Sequence, residues 1–227
     1  MNEIPDPFDT AALRAAVLTA WRDSPTRLRE DSATEADLVR AGYRDRLLTE
    51  LAQNAADAAV KADVAGRLGV TLRGRALHIA NTGAPLDISG VHSLTALRAS
   101  AKSESAAAVG RFGVGFTAVL SAGEEIEFRS TTGSLRFSRA DTRVVMRERG
   151  IELPRGAEYS EPPVLRLAWP VDAGPETGFD SEIVVWLREG VDASALLESM
   201  RTEAPDLLLE LPGLRSIRIE EYESWSA

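Results

Sequence analysis

Residues 50–58, ELAQNAADA, constrain this chain more than any other stretch. They sit in a helical pattern beside Leu47, Leu48 and Leu51, yet they spend positions on two acids, a glutamine and an asparagine. At ~100° per residue, Glu50, Asn54 and Asp57 fall within a stripe about 60° wide. Leu47, Leu51, Ala55 and Ala58 form the neighbouring stripe, which suits packing on a sheet. The polar side chains therefore lie at the border of the core, on the floor of a cleft. The alanines leave room there for a ligand. A carboxylate, an amide oxygen and a second carboxylate in line suit a hydrated hard cation and an activated water.

The rest of the pattern sets the fold class. Leu13, Val17 and Trp21 at four-residue spacing predict a helix over 9–23. Ser32 and Glu35 match an S-x-x-E capping box, which predicts a long helix from there to about Ala65, ended by Gly66 and Gly69. Alternation around Arg73–Gly74 predicts a hairpin, and 89–98 suits a short helix. Residues 114–121 suit a helix. Strands are expected at 124–131, 134–139, 142–147, 163–169, 181–188 and 214–221, and a helix at 192–208. Strands mostly in succession, with helices apart, predict an α+β fold: a two-layer sandwich with a mostly antiparallel mixed sheet covered on one face by helices. The 227 residues read as a single domain with an N-terminal helical extension at 1–31.

Composition narrows the function. The net charge of −9, without a basic cluster, makes a nucleic-acid partner unlikely and gives no membrane footprint. There is no cysteine, hence no disulfide and no thiolate chemistry. No apolar run reaches eighteen residues, and MNEIPDPFDT lacks a signal-peptide pattern, so a cytoplasmic protein is expected. His78 and His92 have no shared-metal spacing. Lysine occurs only at Lys61 and Lys102, every other basic residue being arginine.

Two further segments carry ligand chemistry. IANTGAPLD, residues 79–87, ends a strand in a turn with Gly83 and Pro85. VGRFGVGF, residues 109–116, places three glycines before a helix. Glycine lets backbone N–H groups approach a ligand, and a helix N-terminus attracts phosphate. The G-x-x-G-x-G spacing, with no strand immediately before it, is not a dinucleotide fingerprint. In this order the three segments resemble the ATP-binding domain of the GHKL superfamily: gyrase, the ninety-kilodalton heat-shock chaperone, histidine kinases and MutL. The likeness is nearest to the chaperone and the sacsin-like branch, spans about residues 45–130, and implies a Bergerat-type fold that binds ATP or ADP with Mg²⁺.

By that resemblance Glu50 is the general base, Asn54 holds Mg²⁺ through its side-chain oxygen, and Asp57 supports the nucleotide. Gly83 matches the adenine-side turn. Ser100, Lys102 and Ser103 match a phosphate-contacting A-K-S in a lid over 98–110. Gly110, Arg111, Phe112, Gly113, Val114, Gly115 and Phe116 match the phosphate-cradling turn, and Ser181 stands where a threonine lies near adenine. One departure is plain: the family's D-x-G-x-G is Asn81-Thr82-Gly83-Ala84-Pro85 here. An amide oxygen accepts more weakly than a carboxylate and its NH₂ also donates, which leaves base preference open.

The resemblance implies slow ATP hydrolysis with nucleotide-driven lid closure, in the N-terminal part of a longer chaperone-like protein whose partners are client proteins or downstream domains. The alternatives are a nucleotide-gated binding module without hydrolysis, or a DNA-repair-type ATPase of the MutL or gyrase kind. Retention of Glu50 favours hydrolysis, and the acidic charge disfavours the DNA-linked reading. Neither histidine lies in an obvious phospho-acceptor helix, which disfavours a kinase role.

Overall fold

The computed structural model describes residues 4–40, 46–95, 116–153 and 161–222. Seven strands form one mixed sheet: β1 (Gly66–Arg73), β2 (Ala76–Asn81), β3 (Gly123–Ser130), β4 (Ser134–Ser138), β5 (Trp169–Val171), β6 (Ser181–Leu187) and β7 (Leu214–Tyr222). Their order is β5-β4-β3-β6-β2-β1-β7, antiparallel throughout except for the parallel β1–β7 pair. Six α-helices are present among the described residues: α1 (Thr10–Asp23), α2 (Pro25–Arg40), α3 (Leu47–Ala62), α4 (Ile88–Thr95), α5 (Arg139–Glu148) and α6 (Ala193–Glu210). A 3₁₀ helix covers Phe116–Ser121. The expected α+β class with a mostly antiparallel mixed sheet is what the chain adopts. Among the described residues no helix is long and apolar enough to cross a membrane.

The sheet has two unlike faces. Leu68, Val70 and Leu72 of β1, Leu77 and Ile79 of β2, Ile126 and Phe128 of β3, and Ile183 and Val185 of β6 join one core with Leu47, Leu48 and Leu51 of α3 and Leu197, Met200 and Leu207 of α6. Period-two alternation places Arg67, Arg73, His78, Glu127, Arg129 and Glu182 on the opposite face. There Glu182 is buried between His78 Nδ1 (2.7 Å), Arg129 (3.6 Å) and the backbone N–H of Glu176 (3.1 Å). A smaller core of Leu18, Trp21, Leu28, Met146, Ile151 and Leu167 lies apart from the main one.

Five expectations are corrected. Ser32 and Glu35 open no helix: both are buried inside α2, which starts at Pro25 and runs to Arg40, so residue 31 falls mid-helix. Proline at the first helical position, where its missing N–H costs nothing, was the true start signal. Glu35 instead reaches across the fold and accepts the backbone N–H groups of Val164 (2.7 Å) and Leu165 (3.1 Å). That is also why 163–169 is no strand. Val164, Leu165, Leu167 and Ala168 are buried, but two of the span's backbone donors bond a carboxylate rather than a neighbouring strand, and among the described residues only Trp169–Val171 pairs. The span 142–147 is helix, not strand. Ser138 caps α5 by accepting from Asp141 N, and only Thr142 and Met146, one turn apart, are buried.

Finally, the long helix to Ala65 does not exist as one piece. Helix α3 begins at Leu47 and stops at Ala62, with Asp63 in the left-handed region at φ 55°. Gly66 and Gly69 belong to β1. The hairpin turn sits one residue later than expected, at Gly74–Arg75, with Gly74 at φ 60°.

Candidate functional site

Helix α3 lies on the sheet by its leucine and alanine stripe. Small side chains set how close it comes. A Cβ on Gly83 would stand 2.5–2.7 Å from the backbone of Ala58 and Ala59, and Gly83 itself adopts φ 142°. The next residue, Ala84, donates its N–H to the Ala58 carbonyl at 2.9 Å. The turn after β2 is therefore docked on the backbone of α3, and only glycine fits at that contact. Asp180 secures the turn from the other side. Its carboxylate accepts from Gly83 N at 2.8 Å, and its N–H donates to Asn81 O at 3.0 Å.

Between these contacts lies a narrow slot. Leu51, Asn54 and Ala58 form its α3 wall, Leu68, Ile79, Phe128 and Ile183 its apolar floor, and Ala84, Leu86 and Phe116 its remaining sides. Asn81 and Ser181 supply the polar end. They are direct cross-strand neighbours, as Ser181 is of Ser130 on β3, so one row of the sheet runs Leu68, Asn81, Ser181, Ser130. The Ser130 hydroxyl accepts from Leu86 N at 3.0 Å and fixes the rim. Asn81 spends one amide hydrogen on the Thr82 carbonyl at 3.4 Å. The enclosed volume is about 20 Å³, room for about one water.

The residues proposed from sequence divide clearly. Asn54, Asn81, Ser181 and Phe116 come together around the slot. Gly83 is beside it, in the docking contact with α3. Glu50 lies one turn before Asn54 on the same side of α3, half-buried, with no hydrogen bond or ion pair to another described residue, and outside the slot lining. Asp57 is exposed and does not line the slot. Ser100, Lys102, Ser103, Gly110, Arg111, Phe112, Gly113, Val114 and Gly115, with the whole expected lid at 98–110, lie outside the described residues. Asp180, Ser130 and Leu86 were missed. No local pattern marks them, because the sheet register and the turn docking create their roles.

The slot's chemistry is that of a small apolar space with neutral amides and a hydroxyl among its lining residues. Among the described residues no group of three His, Cys, Asp or Glu is placed to hold a metal ion. A cation at Asn54 would take one oxygen from the protein and the rest from ligand and water, the habit of Mg²⁺ with phosphates. Beyond the slot, Asp87 caps α4. It accepts from Ser89 Oγ and Gly90 N, both at 2.7 Å, and pairs with Lys61 at 3.0 Å. The Ser89 hydrogen bond first, then Gly90 and Lys61, pull its carboxyl down to about 2. The chain matches no protein-family model and no curated protein.

Proposed function

We propose that this chain is a Bergerat-type domain that binds ATP or ADP with Mg²⁺ in the slot between α3 and the sheet. The observation that carries the reading is the convergence of Asn54, from one motif, with Asn81 and Ser181, from two distant segments, on one apolar slot. The apolar walls suit a purine's faces, and the Asn81–Ser181 row suits its hydrogen-bonding edge. Phe116, the last residue of the Gly-rich motif, stands in the slot wall, so the motif's glycines directly precede that wall in the chain. A slot of about 20 Å³ must widen to admit a base, so binding is coupled to movement of its walls.

In this reading Asn54 presents its side-chain oxygen to Mg²⁺, and the bound cation neutralises charge on the phosphates. Glu50 is half-buried with no side-chain partner among the described residues, and in this reading it accepts the proton of an attacking water beside Asn54. The product is ADP and phosphate, formed slowly, with nucleotide state passed to a chaperone-like machine of the sacsin or heat-shock type. The second reading is a nucleotide-gated module without hydrolysis. What favours it is the position of Glu50 outside the slot lining.

Calorimetry with ATP, ADP and GTP, with and without Mg²⁺, tests the proposal. We expect adenine-nucleotide binding that Mg²⁺ strengthens in the parent and not in Asn54→Ala. No nucleotide binding under any condition overturns it. Single-turnover hydrolysis by the parent separates the two readings.

A further inference from the structure

The sheet ends differently on its two sides. One edge is β5, three residues with Pro170 at the centre, which cannot template another strand. The other is β7, nine residues without proline, paired only through β1. Among the described residues nothing pairs with its outer side. A strand of that length presents a row of unpaired backbone donors and acceptors.

The β7 sequence, LRSIRIEEY, is polarised: Arg215 and Arg218 lead, Glu220 and Glu221 follow. Pairing with β1 places Ile217 and Ile219 toward the core, and Ser216, Arg218, Glu220 and Tyr222 on the opposite face. Arg218 is 79% exposed, and its partner among the described residues, Glu220 on the same strand, is 3.7 Å away and 41% exposed.

We propose that β7 is a self-association edge, which pairs antiparallel with β7 of a second copy of this chain about a two-fold axis at Ile219. Antiparallel pairing puts the basic half of each strand against the acidic half of the other, whereas parallel pairing would oppose like charges. With the axis at Ile219, each Arg218 lies directly opposite Glu220 of the other copy, twice over by symmetry. Ile219 meets Ile219, and Ser216 meets Tyr222. The two sheets join into one, with both helical layers on the same side. An edge-only contact buries little area, so the dimer is weak. This inference does not depend on the nucleotide reading.

Sedimentation of the chain from about 1 to 500 µM at low salt tests it. The parent should move from monomer to dimer mass across that range. Arg218→Glu and Glu220→Arg, both at exposed side chains, should each weaken association by about tenfold or more, because two attractions become two repulsions. An equimolar mixture of the two variants should dimerise again, since one strand is then acidic and the other basic. A parent that stays monomeric throughout overturns the proposal. So do single variants that associate like the parent, or a mixture that remains monomeric although both variants melt like the parent.

Discussion

At the scale of single residues, geometry separates roles that the sequence runs together. Glu50, Asn54 and Asp57 share one helical stripe, yet only Asn54 lines the slot, Glu50 is half-buried beside it and Asp57 faces solvent. Glu50→Ala should bind ATP about as well as the parent and hydrolyse it ~10²-fold more slowly, read by single-turnover assay. Asn81→Asp adds a charged acceptor at the polar end of the slot and should tighten adenine-nucleotide binding by ~1 kcal/mol, read by calorimetry. Gly83 has a structural duty whatever the ligand. Gly83→Ala drives a methyl into the α3 backbone at φ 142° and should destabilise the fold by ~2–4 kcal/mol in urea unfolding. Asn54 and Gly83 were legible because their residue types are unusual in context. Asp180 was not, since an aspartate before a strand is ordinary until the register brings it to Gly83.

At the scale of elements, buried carboxylates hold the N-terminal helices. Asp31 and Glu35 stand one turn apart on α2 and are both buried. Asp31 accepts from Trp21 Nε1 at 2.9 Å and pairs with Arg166 at 3.1 Å, while Glu35 takes the N–H groups of Val164 and Leu165. Burial pushes the Glu35 carboxyl up, against the pull of those N–H groups and of Arg139. Glu35→Ala leaves two buried backbone donors unpaired and should cost ~2–5 kcal/mol in urea unfolding. Asp87 gives a pH signature of opposite sign. Its folded pKa of about 2 lies below the ordinary 3.8. The capping contribution is therefore present above the ordinary value and lost as pH falls from there toward 2. Asp87→Asn should flatten the acid-unfolding curve in that window relative to the parent. Long elements with clean periodicity were readable from sequence: α1, α6, the β1–β2 hairpin, β6 and β7. Helix α5 was not, because Val144 and Val145 mimic a strand while the cap at Ser138 decides the matter. The Glu35 contacts were hidden by the 129 residues that separate it from Val164.

At the scale of the whole molecule, the sheet gives each face separate work. One face carries the core and, at its Asn81–Ser181–Ser130 end, the slot. The other is charged. The slot exists because residues of three distant segments, 50–58, 79–87 and 181–183, meet with Leu68, Phe116 and Phe128 between α3 and the sheet. From sequence, the order of 50–58, 79–87 and 109–116 suggested a common site; the place of Ser181 beside Asn81 and the docking of Gly83 were visible only once the strands were paired. The claim that the slot is a nucleotide site is tested most directly by crystals grown or soaked with millimolar ADP and Mg²⁺. Density is expected for a base held between α3 and the β2–β6 row, its edge toward Asn81 and Ser181, with the metal at Asn54. ADP bound only elsewhere, or a slot still closed while ADP is bound, would contradict it.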